Sequence, residues 1–182
     1  MGVLALQGAF REHASALRRL GAEVVEIRRA RDLDGLDGLV IPGGESTAIL
    51  LLARETGLDE GIRTFARPIL GTCAGLILLG RDHLGVADVE VERNAYGRQV
   101  ASFEADLAWP TGGEPLRGVF IRAPRVTAVG GGVETLIEHH GAPVLLRDGD
   151  VLLTSFHPEL TDDPRVHALF LERVTEAMSV RA

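Results

Sequence analysis

The chain has 182 residues, which is enough for one domain with a substantial buried core. Its formal net charge is −7 and its acidic residues are spread along the chain, so nucleic-acid binding gets no electrostatic support. Hydrophobic residues make up 46% but aromatic residues only 4%, which predicts a core of Leu, Val, Ile and Ala, as in a parallel sheet buried under helices.

Cysteine usage and apolar segments limit the class of protein further. The single cysteine, Cys73, excludes an intrachain disulfide, and no Cys/His spacing is typical of a zinc site. The apolar residues 1–8 lack a basic leader and are too few for a signal sequence, so they are interpreted as a first buried strand. No apolar stretch reaches membrane-spanning length. We therefore expect a cytoplasmic protein without a metal site or a membrane partner.

The first half of the chain alternates strand-like and helix-like segments. Such alternation predicts βαβ crossovers, and hence a parallel sheet with helices on both faces. The strand-like segments are residues 2–6, 23–27, 39–41 and the apolar run ending at 70; the helix-like segments are residues 10–20, a helix capped by Ser46 or Thr47 that runs through Ala53, and residues 58–66.

The second half contains strand-like segments separated by turns, followed by a final helix over residues 164–178. Asp148-Gly149-Asp150 is a good hairpin signal between two of these segments. We expect one domain, residues 1–182, with an α/β three-layer sandwich in which antiparallel strands extend a mostly parallel central sheet. The predicted strands are residues 89–91, 100–107, 118–121, 133–138, 144–146 and 151–155.

Cys73 lies in Gly71-Thr72-Cys73-Ala74-Gly75, between an apolar strand-like run and an apolar helix-like run. This pattern indicates a nucleophile elbow with sulfur in place of the serine oxygen. The glycines allow a tight turn, and the N–H groups at the start of the following helix favour the thiolate. The alternative is a small buried hydrophobic side chain, which is the commonest role of a lone cysteine.

A thiol nucleophile needs a base and a group that orients the base. His157 follows a buried strand, as Cys73 does, and Glu159 lies two residues further on. In extended backbone these two side chains fall on one side, where the carboxylate could orient the imidazole. Alternatively, the stretch merely ends a strand and its acid lies in solvent. The other histidines (His13, His83, His139, His140 and His167) are expected to have surface or packing roles.

Pro42-Gly43-Gly44-Glu45-Ser46 closes another buried strand and opens a helix. Its backbone N–H groups could supply one half of an oxyanion hole, with the Ala74 N–H as the other half. The alternative is an ordinary turn followed by a helix cap. The segment is not a phosphate loop, because the Walker lysine and spacing are missing.

Together these motifs resemble those of class I, triad-type glutamine amidotransferases. Within that class, the chain is similar over nearly its full length to the family of glutaminase subunits of pyridoxal 5′-phosphate synthase. The motifs, in the family's order, are Leu6-Gln7-Gly8, Pro42-Gly43-Gly44-Glu45-Ser46-Thr47, Gly71-Thr72-Cys73-Ala74-Gly75-Leu76, Val91-Glu92-Arg93-Asn94 with Gly97-Arg98-Gln99, Ser102-Phe103-Glu104-Ala105-Asp106, Phe120-Ile121-Arg122-Ala123-Pro124 and Ser155-Phe156-His157-Pro158-Glu159-Leu160-Thr161.

The resemblance implies roles for individual residues. Cys73, His157 and Glu159 would form the catalytic triad, and the N–H groups of Gly44 and Ala74 would form the oxyanion hole. Gln7 matches a family position near the oxyanion hole, at the face that meets the synthase. The residues that would contact L-glutamine are Gly44, Glu45, Ser46, Arg93, Ile121 and Arg122.

The implied reaction is hydrolysis of L-glutamine to L-glutamate and ammonia through a γ-glutamyl thioester on Cys73. The implied partner is a (β/α)8-barrel synthase, which uses the ammonia with a pentose phosphate and a triose phosphate to make pyridoxal 5′-phosphate. Nothing suggests that this subunit itself binds a cofactor. Three alternatives stay open: a glutaminase that serves another synthase, for instance in histidine or anthranilate synthesis; a cysteine hydrolase or redox sensor; and a non-catalytic regulatory subunit.

Overall fold

The computed structural model describes residues 1–93 and 102–180. Its α-helices are α1 (Phe10–Arg19), α2 (Ser46–Thr56), α3 (Leu58–Arg63), α4 (Ala74–Leu79) and α5 (Arg165–Ser179). Its strands are β1 (Gly2–Leu4), β2 (Val25–Ile27), β3 (Leu39–Ile41), β4 (Ile69–Thr72), β5 (Val89–Glu92), β6 (Ser102–Leu107), β7 (Leu116–Ile121), β8 (Arg125–Val129), β9 (Val133–His139), β10 (Ala142–Asp148) and β11 (Val151–Thr154). Short 3-10 helices cover Ala30–Leu33 and Pro158–Leu160.

A seven-stranded sheet with the order β2-β1-β3-β4-β11-β10-β9 forms the centre of the fold. The strands from β2 to β11 are parallel, and β10 and β9 continue the sheet in antiparallel pairs. β10 and β11 form the predicted hairpin, in which Asp148 pairs with Val151 and Gly149 takes a φ of 56° that favours glycine. The predicted fold class, a mostly parallel sheet extended by antiparallel strands between layers of helices, is confirmed.

Each face of this sheet is covered by its own set of helices, because successive residues of a strand point to opposite faces. In β4, Ile69 belongs to the core that includes α2, α3 and α4, whereas Leu70 belongs to the core that includes α1 and α5. Burying one such side chain contributes about 1.5–3 kcal/mol relative to leaving it exposed. The two apolar layers therefore hold the ends of the central strands in place.

The strands β3, β4 and β11 are neighbours and parallel, so their carboxyl ends meet at one edge of the sheet. β3 leads into residues 42–44, β4 into Cys73, and β11 into residues 155–157. The Cys73 N–H donates to the Thr154 carbonyl at 2.8 Å, which joins the ends of β4 and β11. This edge is where open parallel sheets bind ligands.

The cap of α2 differs from the sequence-based prediction. Neither Ser46 nor Thr47 caps the helix; both are helical residues. Glu45 is the cap, and its carboxylate accepts from the Thr47 and Ala48 N–H groups at 3.1 and 2.7 Å. A carboxylate is favoured at this position, because the first N–H groups of a helix carry partial positive charge.

The strands outside the central sheet were only partly predicted. β8 was missed, and it pairs with β5 in a separate two-stranded sheet; β6 and β7 form another. Residue 100, the predicted start of a strand, lies outside the described residues, as do Asn94 and the motif over residues 97–99. Among the helices of residues 1–93 and 102–180, none is long and apolar enough to cross a membrane.

Candidate active site

Cys73 occupies a strained turn between β4 and α4. Its φ of 49° and ψ of −101° lie in a region that non-glycine residues rarely adopt, at a cost of about 1–3 kcal/mol. The flanking glycines serve close packing rather than positive φ. A Cβ at Gly71 would lie 2.6 Å from the Leu79 Cδ1, and one at Gly75 would lie 2.2 Å from the Ile41 carbonyl oxygen. The strain therefore falls on the predicted nucleophile itself, as a nucleophile elbow requires.

His157 and Glu159 contact each other directly after β11. The His157 Nδ1 lies 2.7 Å from the Glu159 Oε1, and both side chains are almost fully buried. The backbone is not extended here, as the sequence had suggested, because a 3-10 helix begins at Pro158. The His157 N–H donates to the Val119 carbonyl of β7 at 2.8 Å, which fixes the start of this turn.

The same edge of the sheet brings the imidazole to the thiol. The side chains of Cys73 and His157 both pack against Gly43, and the Cys73 Sγ lies 3.9 Å from the Ile121 carbonyl oxygen. Gly43 packs beside both side chains. A Cβ on Gly43 would lie 2.4 Å from the His157 Cε1 and 3.3 Å from the Cys73 Cβ.

Opposing effects set the charge of this group of side chains. Burial lowers the pKa of His157, but its hydrogen bonds to Cys73 and Glu159 outweigh burial and raise that pKa to about 10. Burial acts to raise the pKa of Glu159, but His13 and His157 together hold it below its ordinary value. The pair therefore favours a carboxylate beside an imidazolium.

The loop after β3 is held by hydrogen bonds from two directions. The Gly43 N–H donates to the Thr72 Oγ1 at 3.0 Å, and the Gly43 carbonyl accepts from the Ala9 N–H at 3.1 Å. Because the C=O and N–H of a trans peptide point in opposite directions, the Gly44 N–H points away from Ala9. The Gly44 N–H has no hydrogen-bond acceptor within the described part of the chain.

Two further predicted residues adjoin this loop. The Gln7 Oε1 accepts from the Glu45 N–H at 2.7 Å, so Gln7 stabilises the loop that contains Gly44. Ala74 is the first residue of α4, so its N–H has no partner within the helix. The N–H groups of Gly44 and Ala74 are thus available to a ligand.

All of the predicted glutamine-binding residues except Ser46 are exposed, and we call these exposed residues the rim. The Arg93 Nη2 lies 3.3 Å from the Glu45 Oε1 and 3.2 Å from the Thr47 Oγ1, so the guanidinium and the carboxylate are adjacent. Ile121, whose carbonyl lies near the Cys73 Sγ, is exposed, as is Arg122, which has a φ of 45°. Ser46 is buried in the first turn of α2.

Sequence reasoning missed two residues behind the triad. His13 and His167 were expected to have surface or packing roles, but both are completely buried and lie in a polar cluster with Glu159. The signal was present, because His13 shares a helical face with Phe10, Ala14 and Leu17, and a histidine in such a core position must find polar partners. No three His, Cys, Asp or Glu side chains in residues 1–93 and 102–180 form a metal-binding group.

Solved structures with this fold define the class of protein. A crystal structure described as a glutamine amidotransferase matches with a TM-score of 0.90 and 50% identity, over 96% of this chain and 98% of that one. A putative GMP synthase component from Thermoplasma acidophilum, at 19% identity, shares the fold with a TM-score of 0.75 over 99% of this chain and 96% of that one. The fold is that of the class I glutamine amidotransferases.

The family follows from sequence comparison. The model of the SNO glutamine amidotransferase family matches residues 3–176, and the chain belongs to this family. A Thermus thermophilus protein named pyridoxal 5′-phosphate synthase subunit PdxT is 54% identical, over 94% of this chain and 96% of its own. A Thermotoga neapolitana protein of the same name is 48% identical, over 96% of this chain and 98% of its own. The family expected from the motifs is therefore confirmed.

Proposed function

We propose that the chain is the glutaminase subunit of a pyridoxal 5′-phosphate synthase, in which it hydrolyses L-glutamine and delivers the ammonia to the synthase. The observation that carries this proposal is the contact of His157 with Glu159 at the carboxyl edge of the parallel strands, with His157 and Cys73 packed against the same glycine, Gly43. The names of the relatives support the choice of synthase.

In the first half of the reaction, the Cys73 thiolate attacks the carboxamide carbon of glutamine. The oxygen becomes an oxyanion that the N–H groups of Gly44 and Ala74 can bind. His157 gives its proton to the nitrogen, the C–N bond breaks, and ammonia leaves. The γ-glutamyl group remains on Cys73 as a thioester, while Glu159 keeps the Nδ1 proton of His157 in place.

In the second half, the neutral His157 accepts a proton from water, and the hydroxide attacks the thioester carbon. The C–S bond breaks, glutamate leaves, and the thiolate and imidazolium are restored. One proton thus moves onto the leaving nitrogen and one returns from water.

The exposed rim supplies recognition of the substrate. Arg93 suits the α-carboxylate of glutamine and Glu45 suits its ammonium, because their charged groups lie next to each other as the two groups of an amino acid do. The other proposed contacts are Gly44, Ser46, Ile121 and Arg122. Gln7 would couple the loop at Gly44 to the docked synthase.

The proposed partner is a (β/α)8-barrel synthase subunit. Free ammonia would be protonated and lost in water, so a glutaminase of this kind needs its acceptor enzyme docked at the site. A cytoplasmic location belongs to the same proposal, as does a single domain over residues 1–182. No observation favours the alternatives of another synthase or of a cysteine hydrolase.

Glutamate release by the full chain, measured alone and with a pyridoxal 5′-phosphate synthase barrel subunit, tests this proposal. We expect weak activity alone, a marked rise with the barrel subunit, and a loss on the order of 10⁴-fold in Cys73→Ala. Labelled glutamine should leave a γ-glutamyl mass on Cys73 after acid quenching. Full activity in Cys73→Ala would overturn the triad, and activation only by a different acceptor enzyme would overturn the choice of synthase.

A further inference from the structure

A second histidine contacts the carboxylate of the proposed triad from the side opposite His157. The His13 Nε2 lies 3.3 Å from the Glu159 Oε2, and neither side chain is exposed. Within the described residues, the Glu159 Oε2 makes no well-aligned hydrogen bond, so the His13 Nε2 at 3.3 Å is a polar group in place to bind it. A buried carboxylate oxygen requires a donor, and the His13 Nε2 is the group in place to supply it.

The surroundings of His13 indicate which nitrogen carries its proton. The His13 Nε2 lies 3.0 Å from the Thr72 Oγ1, and its Nδ1 lies 2.9 Å from the His167 Nε2. Without a proton on Nε2, the lone pair of His13 would face the carboxylate of Glu159. With the proton there, Glu159 and Thr72 share one N–H donor, which accounts for the long contact to Glu159.

His167 fits the same arrangement. If the His13 Nε2 is protonated, its Nδ1 is an acceptor and the His167 Nε2–H donates to it. The His167 Nδ1, which has no partner in the described chain, is then an unpaired acceptor. The opposite arrangement would leave an unpaired buried N–H donor, which is rarer in folded proteins.

We propose that His13 is a positioning residue: its Nε2–H binds the Glu159 Oε2 and turns the carboxylate so that Oε1 faces the His157 Nδ1. His167 donates to the His13 Nδ1 and holds the imidazole in this tautomer. The inference rests on the proposed triad and extends it by two buried histidines from α1 and α5. His13 transfers no proton in this role.

The same N–H links the carboxylate to the loop of the oxyanion hole. Thr72 contacts the His13 Nε2 and also accepts from the Gly43 N–H at 3.0 Å. Gly43 in turn packs against His157 and Cys73. One imidazole therefore contacts groups that hold both the base and the loop, so its loss should alter catalysis more than binding.

The charges around the cluster agree with a neutral His13. Burial lowers the pKa of His13, and the charge of His157 lowers it further. The nearby carboxylates of Glu159 and Glu12 act to raise this pKa, but the net shift is downward. Burial lowers the pKa of His167 to about 3. His13 and Arg19 contribute to this lowering, and the charge of Glu159 opposes it. Neutral imidazoles can donate to Glu159 without competing with His157 for the role of counter-ion.

The first test is ¹⁵N NMR of the full chain with labelled histidine, which reads the tautomer of each imidazole directly. We expect His13 and His167 to be neutral at pH 7 with their protons on Nε2, and His157 to carry a proton on Nδ1. His13 with its proton on Nδ1 would overturn the proposal, because Glu159 would then face a lone pair. This test needs no variant and no turnover.

The second test compares variants in the complex with the barrel synthase. We expect His13→Leu, which lacks a donor, to lose about 10- to 100-fold in kcat with KM for glutamine nearly unchanged. His13→Gln keeps a neutral N–H near the Nε2 position and should regain most of the loss. The matched control is His83→Leu, a histidine outside the cluster, which should keep the wild-type kcat.

Equal losses in His13→Gln and His13→Leu would overturn the proposal, and so would a wild-type kcat in His13→Leu. If His13→Leu does not fold, the tautomer of His13 in the wild-type chain decides. Absence of glutamine turnover in the wild-type complex would count against the proposed function, whereas the NMR result concerns the positioning of Glu159 alone. The two failures are therefore distinguishable.

Discussion

The two sides of the site are built differently. On the inner side, His13, His157 and Glu159 are buried, and His13 is hydrogen-bonded to Thr72 and His167, which lie far from it in the chain. On the outer side, Glu45 and Arg93 are exposed, and water competes for their charges. If the proposed roles hold, the difference teaches that activation of the nucleophile is part of the folded core, whereas substrate recognition is a surface property. Changes inside should therefore affect kcat, and changes on the rim should affect KM.

Among the tests of this contrast between the two sides, the largest effect is expected from Gly43→Ala, which tests how tightly the inner side is packed. The new Cβ would meet the His157 ring at 2.4 Å and the Cys73 Cβ at 3.3 Å, so the base or the loop must shift. We expect a loss in kcat of about 100-fold or more, measured as glutamate release in the complex.

The matched control for Gly43→Ala is Gly132→Ala, where an added Cβ has nothing within 4 Å. This control should keep the wild-type kcat and thermal stability. A wild-type rate in Gly43→Ala would show that the inner side tolerates displacement, and the contrast between the two sides would disappear.

A smaller effect is expected from Arg93→Ala on the exposed rim. Removing the guanidinium removes a partner for the substrate carboxylate, so KM for glutamine should rise about 10-fold while kcat changes little. The KM of Arg93→Lys should lie between those of wild type and Arg93→Ala, because an ammonium keeps the positive charge but cannot make the paired contact with a carboxylate. Steady-state kinetics in the complex measures both constants.

Arg117→Ala is the control for Arg93, since Arg117 is equally exposed and also lies between two carboxylates, Glu104 and Asp106. It should leave both constants unchanged. If Arg93→Ala lowers kcat instead and leaves KM unchanged, the rim belongs to the catalytic machinery and the division proposed above is wrong.

The smallest effect concerns the pH dependence of stability on the inner side. The pKa of His167 is lowered to about 3 by burial, below its value near 6.5 in the unfolded chain. Its contribution to stability is therefore complete above pH 6.5 and is lost as the pH falls toward 3. We expect the difference in free energy of unfolding between wild type and His167→Gln to fall by about 1 kcal/mol from pH 7 to 5.5.

His157 acts in the opposite direction: its pKa is raised from 6.5 to about 10 on folding, so its contribution is complete below pH 6.5 and is lost as the pH rises from there to 10. The effect of His157 is common to wild type and His167→Gln, so it cancels in the difference between their free energies of unfolding. Urea unfolding at several pH values measures the difference. A difference independent of pH would mean that His167 is protonated or exposed in the folded chain.

Local spacing made part of this site predictable. Glycines on both sides of Cys73 predicted the sharp turn, and a separation of two residues predicted the contact between His157 and Glu159. The helix cap was predicted wrongly, because Ser46 and Thr47 are residue types preferred at a cap and Glu45 is not, and only the backbone of the loop places Glu45 there. β8 was missed, since its pairing with β5 joins segments that are distant in the chain.

By itself, the sequence determined the alternation of elements, the parallel sheet and the residues that end its central strands, because these follow from local periodicity and turn chemistry. Only the tertiary structure decided that His13 and His167, 154 residues apart, meet behind Glu159. Their meeting depends on packing α1 and α5 on the same face of the sheet. That packing minimises exposed apolar area over the whole fold, and no local segment encodes it.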